Sequence, residues 1–194
     1  MKGEILKLLK ETDGYISGQE LCERFGVSRT AVWKVINQLK EEGYVIEAVR
    51  NKGYALRGAS DVLSKEELES SLKTRWAGRE LLYFDRTDST NIQVRLAGEA
   101  GAPHGTLAVA EVQDGGKGRR GRNWVSPAGV GIWMSLLLRP EISPISASTL
   151  TLVMALAAQK GIKEATGIES RIKWPNDLVL NKKKICGILT EMGT

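Results

Sequence analysis

Residues 115–127 read G-G-K-G-R-R-G-R-N-W-V-S-P, and the fold of the second half of the chain turns on what this stretch can be. Gly116, Gly118 and Gly121 free the backbone, which favours no single helix or strand and lets amide N–H groups turn toward a bound group. Lys117, Arg119, Arg120 and Arg122 add positive charge that a carboxylate or phosphate can satisfy, arginine through a planar two-pronged fork. Two readings stand: a loop built for an anion, or a solvated basic loop. The same glycines fit G-x-G-x-x-G, with Glu141 about twenty residues on, but that dinucleotide pattern must open a helix. Ser126-Pro127 with Gly129 and Gly131 predicts a loop running into a strand instead. A phosphate loop G-x-x-x-x-G-K-[ST] also fails, because Gly118 follows Lys117 and Glu111 occupies the place of its first glycine.

Outward from the loop, residues 106–113 predict the strand that delivers it and 131–138 the strand that leaves it. Upstream, 80–84 reads as a strand and Asp88-Ser89-Thr90-Asn91 as the cap of a helix to about residue 100. Downstream, a helix over about 145–166 is apolar on most sides through Leu150, Leu152, Val153, Met154, Leu156 and Ala157, which predicts burial. Then 171–173 starts a strand, Trp174-Pro175-Asn176-Asp177 turns it, 178–180 continues, Asn181-Lys182-Lys183-Lys184 makes a hairpin turn and 185–191 pairs back. This half reads as mixed α/β with a largely antiparallel sheet.

The first 60 residues have a different grammar. Ile5, Leu6, Leu8 and Leu9 share a side of a short helix over 2–10, and Ser17-Gly18-Gln19-Glu20 is a capping box opening a second helix to about Arg24. Phe25-Gly26-Val27 turns, and Ser28 caps a third helix ending at Gly43. Val32, Val35, Ile36 and Leu39 fall at the spacing of a buried stripe, leaving Arg29, Thr30, Trp33, Lys34, Asn37 and Lys40 outward. Runs 44–49 and 54–57 flank Arg50-Asn51-Lys52-Gly53, a hairpin whose tip presents Arg50 and Lys52. This is a winged helix-turn-helix: Ser28, Arg29, Thr30, Trp33, Lys34 and Asn37 would meet DNA from the third helix, and Arg50 and Lys52 would meet phosphate or the minor groove. Ten Lys and Arg against eight Asp and Glu over residues 1–60 leave only +2, so the arrangement argues for DNA more than the charge does. The competing reading is a three-helix protein-interaction module with solvated charges.

Across 194 residues the formal net charge is +5, which permits a nucleic-acid partner. The charged start MKGEILKLLKE and the lack of an apolar run near about 18 residues predict a cytoplasmic chain without signal peptide or membrane span. Cys22, Cys186 and the single His104 have no zinc-ligand or Cys/His catalytic spacing. Small polar residues at 58–61 mark a hinge, and Ser64 caps a short helix beyond it. The expected organisation is α+β: a winged helix-turn-helix over 1–60, then a mixed α/β domain over 61–194.

Taken in order, Asp88-Ser89-Thr90-Asn91, the loop 113–124 with Ser126-Pro127, Gly131-Ile132-Trp133-Met134-Ser135-Leu136, and Lys173-Trp174-Pro175-Asn176-Asp177-Leu178 with Gly187-Ile188-Leu189 resemble the biotin protein ligases. With the winged helix in front, the chain resembles the bifunctional members that also repress a biotin operon. The resemblance implies an ATP-dependent, AMP-forming ligase that condenses biotin with MgATP to biotinyl-5'-adenylate and passes biotin to a lysine of a carboxylase carrier domain. It implies operator DNA as a second partner and a homodimer when the adenylate is bound.

By position, the resemblance implies biotin contacts at Ser89, Thr90, Asn91, Gln113, Gly116, Lys117, Arg119, Lys173 and Gly187. Among these, Arg119 and Lys173 would be the catalytic cations. Arg120, Arg122 and Trp124 would cover the adenylate, and Asp177 is either metal-facing or part of the hairpin. Lys117 departs from the family's usual arginine, keeping charge and losing the fork. The family's ligases continue with further catalytic sheet and a small β domain, so the catalytic domain is expected to be incomplete at its carboxy-terminal side. The rival from another class is a non-catalytic DNA-binding regulator sensing biotin or a related small acid. A lipoate ligase, which shares this sort of fold, would lack the DNA-binding module.

Overall fold

A computed structural model describes residues 1–58 and 63–193, so the centre of the expected hinge lies outside the described residues. Three helices, α1 (Lys2–Glu11), α2 (Gly18–Phe25) and α3 (Arg29–Glu41), precede the hairpin β1 (Val45–Val49) and β2 (Gly53–Gly58). The Ser17 hydroxyl accepts from the Glu20 N–H at 3.0 Å and the Ser28 hydroxyl from the Ala31 N–H at 3.2 Å, which starts α2 and α3 where their sequences predict. Gly26, at φ 63°, closes α2 in the left-handed region that a side chain resists. Ile5, Leu6, Leu9, Ile16, Leu21, Val32, Val35, Ile36, Leu39, Tyr44 and Ile46 form one buried core. Ile16 and Tyr54 exchange backbone hydrogen bonds of 2.9 and 2.8 Å, which staple the wing to the turn before α2.

α4 (Lys65–Ser71) lies after the expected domain boundary yet packs on α1. Glu67 accepts from the Tyr44 hydroxyl at 2.5 Å and from the Lys10 ammonium, and Lys2 pairs with Glu42 at 2.6 Å and Glu66 at 3.0 Å. On the other side, the Tyr83 hydroxyl donates to the Leu63 carbonyl at 2.7 Å. α4 therefore joins the two halves.

The second half holds two three-stranded sheets. In the first, β3 (Leu81–Thr87) pairs parallel with β4 (Leu107–Gln113), which pairs antiparallel with β5 (Trp133–Leu136). α5 (Thr90–Glu99) makes the crossover that a parallel pair requires. β4 is central, and its Ala108, Val109 and Ala110 are buried in succession, as a strand covered on both faces must be. The second sheet is antiparallel throughout: β6 (Arg171–Lys173), β7 (Asp177–Leu180), β8 (Lys183–Gly187). Left-handed Asn181 and Lys182, at φ 49° and 65°, form the tight β7–β8 turn.

α6 (Thr149–Thr166), entered through a 3-10 turn at Pro144–Ser148, corrects two expectations. Only its Ala155 is buried, while Val153 and Leu156 are 55% and 58% exposed, because β6 and β7 cover one narrow side and no described residue covers the rest. Residues 144–166 are also long and apolar enough to cross a membrane by length and composition, with mean hydropathy 1.3. Ile, Leu, Val, Met and Ala carry that mean, and the Ser and Thr among them keep the stretch from being an unbroken apolar run. The helix is tied sideways by Thr151 to Thr190 at 2.8 Å and by Gln159 to the Ser170 carbonyl at 2.6 Å.

Candidate active site and nucleic-acid interface

The loop 115–127 is more ordered than its glycines suggest. Gln113 N–H to Ser126 O at 3.1 Å, Trp124 N–H to Gly116 O at 2.9 Å and Gly118 N–H to Arg122 O at 2.7 Å fold it into a narrow two-sided finger. Its tip is a single 3-10 turn, Arg119–Gly121, in which Arg120 takes the left-handed φ of 59°. No α-helix opens here, in line with the rejection of the dinucleotide pattern. Gly116 is required by space: a Cβ there would meet the Trp124 carbonyl at 2.5 Å and the Ser126 hydroxyl at 2.9 Å.

Beneath the finger runs a polar network. The Gln113 side-chain carbonyl accepts from the Thr90 N–H at 2.8 Å and the Thr90 hydroxyl at 3.1 Å, while its amide donates to the Ser126 hydroxyl at 3.0 Å. Among the described residues the second amide N–H of Gln113 has no hydrogen-bond acceptor. Thr90 also meets Ser135 at 2.8 Å, Ser135 donates to Asn91, and Asn91 donates to Glu191 at 2.8 Å. Ser89 is the N-cap residue of α5 but makes no side-chain cap bond; the Asp88 carboxylate beside it accepts from the Ser89 N–H at 2.5 Å and the Gln93 side-chain amide at 2.9 Å. Those bonds, from Gln93 first and then Ser89, hold the Asp88 carboxyl below its ordinary range. Ser89, freed from capping, lines a cavity of about 120 Å³ with Asn91, Ile92, Lys117, Leu189 and Glu191.

The finger docks on the second sheet. Arg119 donates to the Asn176 side-chain oxygen at 3.3 Å, and the Lys184 ammonium stands 4.8 Å from the centre of the Trp124 ring and 2.7 Å from the Asp177 carboxylate. Gly187 is where Lys184 and Trp124 crowd the strand: a Cβ would lie 2.8 Å from the lysine and 3.4 Å from the indole. The loop and the tryptophan-proline segment thus share one neighbourhood. Lys173, by contrast, is exposed, and among the described residues no hydrogen bond or ion pair joins it to the finger. It lies opposite Asp177 on β6, one strand farther out.

Lys184 was hidden in a lysine run that reads as a turn. Counting back from the Asp177–Gly187 and Leu178–Cys186 pairs, strict alternation would put Lys184 opposite Leu180, on the face away from Asp177. A bulge between Leu178 and Val179 pairs it with Val179 instead and brings it to the Asp177 face. Ser126, Ser135 and Asn176 lie inside the motifs that carry the resemblance but have no role assigned by it, and Glu191 carries no sequence signal beyond its residue type.

On the first unit, Arg29, Thr30, Trp33 and Lys34 are exposed on α3, Trp33 at 57%, and Asn37 is half-buried beside them. The Ser28 oxygen is occupied by the cap, leaving its O–H as a donor. Arg50 and Lys52 stand exposed on the wing tip. Among the described residues no ion pair occupies Arg29, Lys34, Arg50 or Lys52, whereas Arg57 is paired with Glu47 at 2.7 Å and Lys2 and Lys10 with acids around α4. The small net charge of residues 1–60 therefore hides a basic face whose cations make no ion pair among the described residues, although Lys52 lies near enough to Glu47 to help hold its carboxyl low.

These features define a winged helix joined to a ligase-type α/β domain. A profile of the Biotin/lipoate A/B protein ligase family matches residues 83–192, and one of an HTH domain matches residues 3–55. The chain belongs to the biotin/lipoate A/B protein ligase family. It is 46% identical over 193 residues to the bifunctional ligase/repressor BirA of Bacillus subtilis (strain 168), across 99% of this chain and 59% of that protein. It is 35% identical over 176 residues to the bifunctional ligase/repressor BirA of Escherichia coli (strain K12), across 91% and 53%. The solved biotin protein ligase from Aquifex aeolicus in complex with biotin and ATP matches with a TM-score of 0.52 at 34% identity, over 59% of this chain and 47% of that one. The chain spans about three fifths or less of the length of these relatives.

Proposed function

We propose that the chain carries the biotin-adenylating site of a cytoplasmic biotin protein ligase that also represses transcription. The docking of Arg119 and Trp124 onto the Asn176–Lys184 sheet, over the Ser89–Thr90–Gln113 network, carries this reading. The names of the similar proteins, ligase/repressor in two cases and a complex with biotin and ATP in the third, point the same way.

The cavity beside Ser89 is small against ordinary ligand pockets of about 300–1,000 Å³, so it takes only the ureido head of biotin, and the acid tail runs outward under the finger. Ser89 and Asn91 face that head with Lys117 at its edge, and Thr90, Gln113 and Gly116 hold those walls from behind through the hydrogen-bond network and the close packing at Gly116. The tail carboxylate and the α-phosphate of ATP repel each other, and fixed cations lower that repulsion before they meet. Arg119 and Lys184 take this role, with Lys173 and Gly187 on the same sheet face behind them. A carboxylate oxygen attacks the α-phosphorus and pyrophosphate leaves. A carrier-domain lysine then attacks the acyl carbon, AMP leaves and the amine loses a proton. Arg120, Arg122 and Trp124 cover the adenylate between the two steps.

Magnesium enters as part of MgATP. Among the described residues no group of three Asp, Glu, His or Cys side chains is placed to hold a metal, and Asp177 is engaged by Lys184, so the residues do not fit a resident ion. In the second activity, biotinyl-5'-adenylate bound beneath the finger promotes a homodimer that sets two winged helices on a two-fold operator. Calorimetric titration with biotin tests the foundation, and mass spectrometry after incubation with biotin, MgATP and a carrier domain tests the reaction. Heat of binding and a gain of one biotinyl group are expected. No binding of biotin, with or without ATP, defeats the ligase reading.

A further inference from the structure

Glu191 lines the cavity of about 120 Å³ beside the finger, with Ser89, Asn91 and Lys117, and it is the one acid among the lining residues. It reaches Asn91 from 100 residues along the chain, and the segment that carries it is tied on two sides. The Ile188 N–H donates to the Asn176 carbonyl at 2.8 Å, and the Asn176 amide returns a bond of 3.1 Å to the Ile188 carbonyl. Thr190 meets Thr151 of α6 at 2.8 Å. Oε2 of Glu191 accepts from the Asn91 amide at 2.8 Å, and among the described residues Oε1 accepts from none.

This carboxylate orders what lies behind it. A carboxylate only accepts, so Asn91 turns its NH2 to Glu191 and its oxygen to Ser135. Ser135 has a single proton and gives it to Asn91, so at the 2.8 Å contact with Thr90 the threonine is the donor. Thr90 then shares its one proton between Ser135 and the Gln113 carbonyl, 3.1 Å away. One acceptor at the cavity wall thereby sets the direction of the hydroxyls back to Gln113. On the cavity side, the ureido head of biotin presents a carbonyl flanked by two N–H donors. The second amide N–H of Asn91, the Ser89 hydroxyl and Lys117 can serve the carbonyl, and the open Glu191 oxygen can serve only an N–H.

We propose that Glu191 is a specificity-determining residue of this site: Oε1 accepts from one ureido N–H while Oε2 fixes the Asn91 amide, so the cavity selects a cyclic urea. This role rests on the biotin reading of the site. A ring without N–H, such as the dithiolane of lipoate, leaves that oxygen unpaired, and a site built to pair with a donor discriminates against a ligand that lacks it. Glu191 is open to solvent, so its bond is worth about as much as an ordinary protein hydrogen bond, and losing it weakens binding about fivefold.

The test is calorimetry with biotin and with two analogues in which one or the other ureido N–H is replaced by oxygen, giving cyclic carbamates of nearly unchanged size. Each ligand is titrated into the unaltered chain and into Glu191→Gln, which keeps the size of the side chain but has one oxygen to serve two donors. Glu191→Gln is expected to bind biotin about fivefold more weakly. Against the unaltered chain one carbamate isomer should fall further below biotin than the other, and in Glu191→Gln that difference should shrink about fivefold. Unchanged biotin affinity in Glu191→Gln overturns the proposal. So does a loss shared equally by biotin and both carbamates, which would make Glu191 a support of the wall and no partner of an N–H. If the unaltered chain binds no biotin, the biotin reading itself falls and this role falls with it.

Discussion

The finger over residues 115–127 and the wing tip over 49–53 both set cations on glycine-bearing turns, yet they hold those cations differently. In the finger, Arg119 reaches Asn176, and Lys184 comes from another strand to stand over Trp124 and pair with Asp177. In the wing, Arg50 and Lys52 face Arg29 across an open cleft with no acid between. The first arrangement is pre-folded around a small cavity and suits a ligand that is enclosed. The second is a basic surface open to solvent and suits a polyanion that arrives from it. Electrostatic preorganisation should make single residues decisive in the finger and additive in the wing.

The largest break should come from Lys184→Ala or Arg119→Ala. Removing one preorganised donor from a developing charge costs about 10²–10³ in rate, so adenylate formation, followed by release of radiolabelled pyrophosphate, should drop by that factor. Duplex affinity in low salt should not follow it. Rates within twofold of the unaltered chain would mean the finger is a basic surface like the wing.

Two glycines separate the regions next. At Gly116 a Cβ would collide with the Trp124 carbonyl, so Gly116→Ala should open the finger and weaken biotin at least tenfold by calorimetry. At Gly53, φ is 114° and a Cβ would lie 1.9 Å from the Ile16 carbonyl, so Gly53→Ala should break the Ile16–Tyr54 staple. The conformational strain alone costs about 1–3 kcal/mol. Each variant should impair one surface and spare the other. Loss of both activities from either change would show the two regions folding as one.

Glu67 tests their mechanical link. Burial pushes its carboxyl up, but the bonds from Lys10 and Tyr44 outweigh that and hold it below its ordinary value of 4.5. A carboxyl lowered in the fold stabilises above its unfolded value, and that contribution fades as pH falls through the folded one. The charged bonds are worth about 1–3 kcal/mol. Thermal melts should therefore show Glu67→Gln less stable than the unaltered chain at pH 7, with the gap closing on acidification below pH 4.5. A gap independent of pH would place the effect in packing rather than charge.

The first unit was legible because its signals are local: Ser17 and Ser28 cap where they stand, Gly26 turns, and the Val32–Val35–Ile36–Leu39 stripe is buried as its spacing requires. The strands around the finger were legible for the same reason. What escaped depends on distant partners. Burial of α6 could not be read, because apolar side chains state what a helix can cover, not whether anything covers it. The finger's order comes from Gln113 and Ser126 pairing across it, and the absence of a Ser89 side-chain cap on α5, with Asp88 holding the Ser89 N–H, depends on side-chain rotamers. Lys184 is the sharpest case, since a single bulge reverses its face.

That reversal frames the smallest effect. Lys173 and Lys184 share the Asp177 face, yet Lys184 touches the carboxylate and the indole while Lys173 is exposed on β6, across β7 from Lys184. An exposed charge at that remove is screened by water, and its interaction with a bound anion is worth about 0.2–1 kcal/mol. Lys173→Ala should slow adenylate formation by about fivefold at most and should do so less as salt rises, whereas the Lys184→Ala defect should persist at 0.5 M salt. If Lys173→Ala instead matches Lys184→Ala in size and salt resistance, the β6 strand must close on the ligand when it binds, and both lysines belong to the enclosed site.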